Sequence, residues 1–74
     1  MYERVRAMRE DRDMTQAQIA RLLHIHQTTY SDYELGNLNI PISILIQLAD
    51  LYATSVDYLV GRTDVTAPYS HKKV

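Results

Sequence analysis

Seventy-four residues with a formal charge of −1 and no cysteine allow one small domain and exclude a disulfide framework or a thiolate zinc site. No apolar run reaches the length of a membrane span, and the opening Met-Tyr-Glu-Arg-Val-Arg has no signal-peptide apolar region, so a soluble, cytoplasmic protein is expected. Charge is segregated: residues 1–25 hold five arginines against four acids, residues 26–60 hold four acids and no lysine or arginine, and residues 61–74 hold three basic groups and one acid. The broad basic field that accompanies most nucleic-acid binders is therefore missing from the middle of the chain.

The spacing predicts a first helix over 3–12, with Val5 and Met8 as a narrow apolar stripe and arginines at 4, 6, 9 and 12 around its other faces. A second helix over 16–23 is announced by Thr15 and Gln18, the two ends of a capping box, with Met14 and Ile19 at the positions of a hydrophobic staple. Ile19, Ala20 and Leu23 form its inward face, leaving Leu22 over. The grammar repeats eleven residues later. Ile25 and Tyr30 can staple a third helix running from about His26 to Glu34, closed by Leu35 and a glycine, Gly36, able to take positive φ. Tyr30 and Tyr33 fall on its inward side.

After the loop at 37–40, Pro41 suits the first turn of a fourth helix over 42–52. Ile42, Leu45, Ile46, Leu48, Ala49 and Tyr52 predict burial around most of its circumference. Ser55 can cap a short fifth helix, with Asp57 well placed against the dipole and Gly61 ending it. No segment alternates as a strand, so the expected architecture is an all-α bundle of five helices. In the tail, 62–74, Val65 and Tyr69 are the expected anchors of any packed part.

These residues have a joint spacing that resembles the helix-turn-helix of phage repressor and Cro proteins, the XRE type. It is carried by Arg9, Thr15-Gln16, Ile19-Ala20, Leu23, Tyr33-Glu34-x-Gly36, Leu48-Ala49 and Ser55-Val56-Asp57-Tyr58-Leu59-x-Gly61, from about residue 3 to 64. The resemblance implies a lambda-repressor-like DNA-binding domain over 1–61, with the helix-turn-helix at helices 2 and 3 and helix 3 in the major groove of double-stranded DNA. It also implies a sequence-specific transcriptional regulator, a repressor acting as a homodimer on a two-fold operator, and no cofactor.

Carried over by position, Gln27, Thr28, Ser31 and Asp32 become the base readers. A primary amide can bond adenine N6 and N7 together, and threonine methyls can rest on the thymine methyl. Gln16, Arg12, Arg21, Asn37 and Asn39 are the expected phosphate contacts, with Arg4 and the tail lysines, Lys72 and Lys73, as further cations. Arg9 and Glu34 are an expected structural pair. Val56, Tyr58, Leu59 and Val60, with the tail, are the candidate dimer surface, although Leu59 could equally close the monomer core.

Three departures from the family pattern matter. His24 stands at the turn where glycine is common, in a position needing positive φ that histidine tolerates. His26 replaces the usual Ser or Thr cap, and a neutral imidazole can accept an N–H there, which would make the cap sensitive to acid. Asn37, Leu38 and Asn39 occupy the loop where relatives carry lysine or arginine, so binding should depend weakly on salt. His24 and His26, two apart without an acidic or thiol partner, are not read as a metal site.

No Ser-His-Asp set, cysteine nucleophile or phosphate-cradling glycine loop is present, which excludes the commonest enzyme chemistries. The rival to a DNA-binding regulator is a protein-binding module of the same fold, an antitoxin or a regulator partnered by an antirepressor. The acidic middle favours that rival.

Overall fold

The five expected helices are present in a computed structural model that describes residues 2–68: α1 (Glu3–Asp11), α2 (Gln16–Leu23), α3 (Gln27–Leu35), α4 (Ile42–Leu51) and α5 (Val56–Leu59), with no strand among the described residues. The boundaries follow local chemistry. Thr15 Oγ1 accepts from the Gln18 N–H at 3.1 Å while the Thr15 N–H donates to Gln18 Oε1 at 2.7 Å, completing the capping box of α2. Ser55 Oγ accepts from the Tyr58 N–H at 3.0 Å and starts α5. α3 ends at Gly36, whose φ of 81° lets the Asn37 N–H reach back to the Asp32 carbonyl at 2.9 Å.

His24 adopts the left-handed conformation expected of it, with φ 58° and ψ 41°. That turn aims α3 away from α2 while keeping the two helices packed together. His26 departs from expectation, because its side chain makes no capping hydrogen bond. The imidazole cap proposed from sequence is therefore absent, and the acid sensitivity argued from it goes with it.

The core gathers one or more residues from every helix: Val5 of α1, Ile19, Ala20 and Leu23 of α2, Tyr30 and Tyr33 of α3, Ile44, Leu45, Leu48 and Ala49 of α4, and Leu59 of α5. Ile40 and Tyr52 close it from the flanking turns. α4 corrects the sequence reading in its details. Ile44 is buried, whereas Ile42 and Ile46, expected inside, are exposed.

The tail is held by polar groups rather than by Val65, which is exposed. Thr54 Oγ1 donates to the Thr66 carbonyl at 2.6 Å. Arg4 donates to the carbonyls of Tyr58 and Thr63, and its Nη2 lies 2.6 Å from an Asp64 carboxylate oxygen. Tyr69, Lys72 and Lys73 lie outside the described residues.

Two further non-glycine residues, Asp13 (φ 53°) and Ala53 (φ 52°), hold the left-handed conformation. Alanine there carries a steric cost between Cβ and the backbone that glycine avoids. Ala53→Gly should accordingly stabilise the fold by about 1 kcal/mol, or roughly 4–8 °C in a domain of this size. Thermal denaturation followed by circular dichroism measures it, and an unchanged or lower Tm would refute the assignment of strain.

Candidate nucleic-acid interface

The surface that α3 presents is polar and open. Gln27 and Thr28 are exposed, Ser31 and Asp32 partly so. Successive turns place Gln27 above Ser31 and Thr28 above Asp32. No hydrogen bond within the described residues occupies the side chains of Gln27, Thr28 or Ser31. Asp32 differs, since one carboxylate oxygen accepts from Asn37 Nδ2 at 3.4 Å. Tyr30 and Tyr33 are buried beneath this face, so its orientation is set by two large inward anchors.

Behind α3 lies a buried ion pair. Arg9 Nε and Nη2 donate to Glu34 Oε2 and Oε1 at 2.7 and 3.0 Å, a bidentate arrangement between side chains 12% and 3% exposed. The third arm, Nη1, donates to the Met14 carbonyl at 2.9 Å, and Gln16 Nε2 donates to Glu34 Oε1 at 3.0 Å. One carboxylate thus ties together α1, the start of α2 and the end of α3. Burial pushes the Glu34 carboxyl up, but the hydrogen bonds from Arg9 and Gln16, with the Tyr30 hydroxyl beside them, outweigh it and hold the group below its ordinary range. The same contact raises Arg9. Burial, followed by the nearby Glu34 carboxylate, pushes the Tyr30 phenol far above its ordinary range.

The structure draws several of the expected cations into the fold. Arg12 Nη2 donates to the Tyr52 carbonyl at 2.8 Å and its guanidinium stands 5.2 Å from the Tyr52 ring centroid. Arg4 covers the Tyr58 ring at 4.3 Å as well as gripping the tail. Arg6 pairs with Glu10 across one helical turn at 3.3 Å. The Arg21 side chain is exposed and makes no hydrogen bond or ion pair among the described residues. Gln16 keeps one amide N–H beyond its bond to Glu34, and Asn37 and Asn39 are exposed. Among the described residues no cluster of three or more potential metal ligands forms.

Of the dimer candidates, Leu59 is 1% exposed and belongs to the protomer's own core. Val56 and Tyr58 pack partly against that core, and Val60 alone is exposed. Sequence reasoning missed the link from Gln16 to Glu34, which joins residues eighteen positions apart. No local spacing signals it.

A family model described as Helix-turn-helix matches residues 5–59, which takes in every helix from Val5 of α1 to the last residue of α5. The chain belongs to the XRE-type helix-turn-helix family. The domain is of a DNA-binding, transcription-regulating type. The chain is also 36% identical over 74 residues to an uncharacterized HTH-type transcriptional regulator, YobD, of Bacillus subtilis (strain 168). That match covers 99% of this chain and 66% of the regulator. No solved structure matches, and no helix among the described residues is long and apolar enough to cross a membrane.

Because the hydrogen bonds to Glu34 outweigh its burial and hold its carboxyl below the ordinary carboxylate range, its contribution to stability is complete above that range and is lost as pH falls through the folded value. Urea denaturation across pH 3–7 should show this loss in the wild type and a flatter profile in Glu34→Gln. Arg9→Met leaves a buried carboxylate without its counter-charge and should cost about 3–5 kcal/mol at neutral pH. A cost below about 1 kcal/mol would show that the pair behaves as a surface salt bridge.

Proposed function

We propose that the protein is a repressor that occupies a two-fold operator as a homodimer, each protomer laying α3 in a major groove. The observation that supports this reading is the open face of α3, where an amide and two hydroxyls stand exposed or half-exposed above two buried tyrosines with no hydrogen bond of their own among the described residues. Such groups gain nothing from the fold and suit direct readout of base edges. Gln27 is the principal reader, toward adenine. Thr28 and Ser31 flank it. Asp32 accepts from cytosine N4 and disfavours neighbouring phosphates, which limits affinity while adding discrimination.

Positioning on the backbone falls to the free N–H of Gln16 and the first amides of α2, to Arg21, to the remaining N–H groups of Arg12, and to the amides of Asn37 and Asn39. Footprinting on the DNA that adjoins the gene should show a protected two-fold site, and Gln27→Ala should weaken it about 10–100-fold. Unaltered affinity in that variant would remove Gln27 from the readers.

With Arg4 and Arg9 engaged internally, about two cationic contacts per protomer remain. The logarithm of the binding constant should then fall with the logarithm of salt concentration with a slope of about −4 for the dimer. A slope near −8 would mean that cations assigned here to the fold contact phosphate instead. The absence of basic side chains from residues 26–60 favours a second reading, a protein-binding module partnered by an antirepressor or a toxin. No DNA binding even at low salt would select it.

A further inference from the structure

Between α2 and α4 the surface holds an open groove of about 390 Å³, lined by Leu22, Leu23, Gln47, Asp50 and Leu51. Leu23 is its buried floor, while Leu22 and Leu51 stand 50% and 37% exposed on its walls. Gln47, Asp50 and Leu51 fall at i, i+3 and i+4, so α4 supplies its wall as a single stripe. Gln47 and Asp50 are exposed, and neither the amide nor the carboxylate makes a hydrogen bond among the described residues. Asp50 alone of the five lining residues is charged. A concavity with apolar walls and a few polar groups at its edge has the make-up of a binding site.

We propose that residues 69–74 of this same chain, Tyr-Ser-His-Lys-Lys-Val, dock in that groove, with the Tyr69 ring over the leucines and Lys72 and Lys73 beside the Asp50 carboxylate. Those residues lie outside the described part of the chain, and what selects them is the placement of the residues that lead to them. Thr54 Oγ1 donates to the Thr66 carbonyl at 2.6 Å. Thr54 is itself folded back on the last turn of α4, its N–H donating to the Ala49 carbonyl at 2.9 Å. The chain is thus held at residue 66 beside the end of the helix that carries Asp50 and Leu51.

Reach and chemistry agree with that occupant. Tyr69 follows Thr66 by three residues, a span of at most about 11 Å, and Lys73 follows it by seven, at most about 25 Å. Gln47 lies about 6 Å along α4 from Leu51, so the whole groove is within range. Tyrosine suits leucine walls edged by an amide, since its ring covers apolar surface while its hydroxyl keeps a polar partner. Residues 69–74 hold two lysines and no acid, opposite in sign to Asp50. The tether makes docking intramolecular, so contacts too weak to hold a separate peptide suffice to populate it. Docked in this way, the tail lysines neutralise Asp50 rather than phosphate, and the inference holds whether or not α3 reads DNA.

Paramagnetic relaxation measured by NMR on the full chain tests the assignment. The sequence has no cysteine, so Ser70→Cys accepts a single nitroxide. The amide signals of Leu22, Leu23 and Gln47 should be lost to broadening in the labelled chain and recovered when the label is reduced. Asp50→Lys and Tyr69→Ser should each restore most of that intensity with the label oxidised. Combining Asp50→Lys with Lys72→Glu and Lys73→Glu should abolish the signals again, which a merely unfolded variant could not do. Asp50 is exposed, so the circular dichroism of its variants should match that of the parent chain.

Signals of Leu22, Leu23 and Gln47 that keep their intensity beside the oxidised label, broadening that persists in either Asp50→Lys or Tyr69→Ser, or a charge swap that fails to bring it back would overturn the inference. So would broadening in an isotope-labelled chain without the nitroxide when it is mixed with nitroxide-bearing copies, because the tail would then be docking on another molecule. The operator reading fails or stands separately, since footprinting with Gln27→Ala addresses α3 and leaves these signals untouched.

Discussion

The arrangement of this domain depends on one carboxylate. Glu34 sits at the end of α3, almost wholly out of water, and would be intolerable there as an anion without the guanidinium of Arg9 and the amide of Gln16. Because those partners come from α1 and from the first residue of α2, satisfying the charge requires the three helices to take one mutual orientation. Apolar packing alone would tolerate several. The pair therefore acts as a register pin more than as a source of stability, for replacing it by well-fitted apolar groups could be neutral in energy while loosening the geometry.

That geometry places the two polar surfaces of the helix-turn-helix. Gln16 donates to the same Glu34 oxygen that accepts from Arg9, so the positions of α2 and α3 are linked through hydrogen bonds as well as through Ile19, Tyr30 and Tyr33 in the core. The cost falls on charge. Three of the five arginines in the first twenty-five residues bond to backbone carbonyls or buried groups, and a guanidinium held in this way has less to give to phosphate. The acidic middle of the chain compounds this, since residues 26–60 hold four acids and no lysine or arginine.

Where the chain forms helices was legible from its residues, because caps, staples and terminal glycines are local devices. Thr15 with Gln18, Ser55, Gly36 and the histidine turn at His24 each act within a few residues, and each appears in the structure as read. The orientation of α4 was not legible. Its sequence is apolar on nearly every face, so periodicity could not choose between Ile44, which is buried, and Ile42 or Ile46, which are not. The destinations of the arginines were equally hidden. Arg4 and Arg12 find partners forty to sixty residues away, beyond any spacing rule. The exposure of Gln27 and Thr28 could be read from the sequence as an exposed polar turn, but that their side chains make no hydrogen bond among the described residues required coordinates.

Arg4 also has a consequence beyond charge. A single guanidinium grips the carbonyls of Tyr58 and Thr63 and the carboxylate of Asp64 from a position in the opening turn of α1, so the two extremities of the folded segment share one clasp. Opening either end therefore removes a tie on the other, which couples fraying of the opening turn of α1 to that of the stretch after α5.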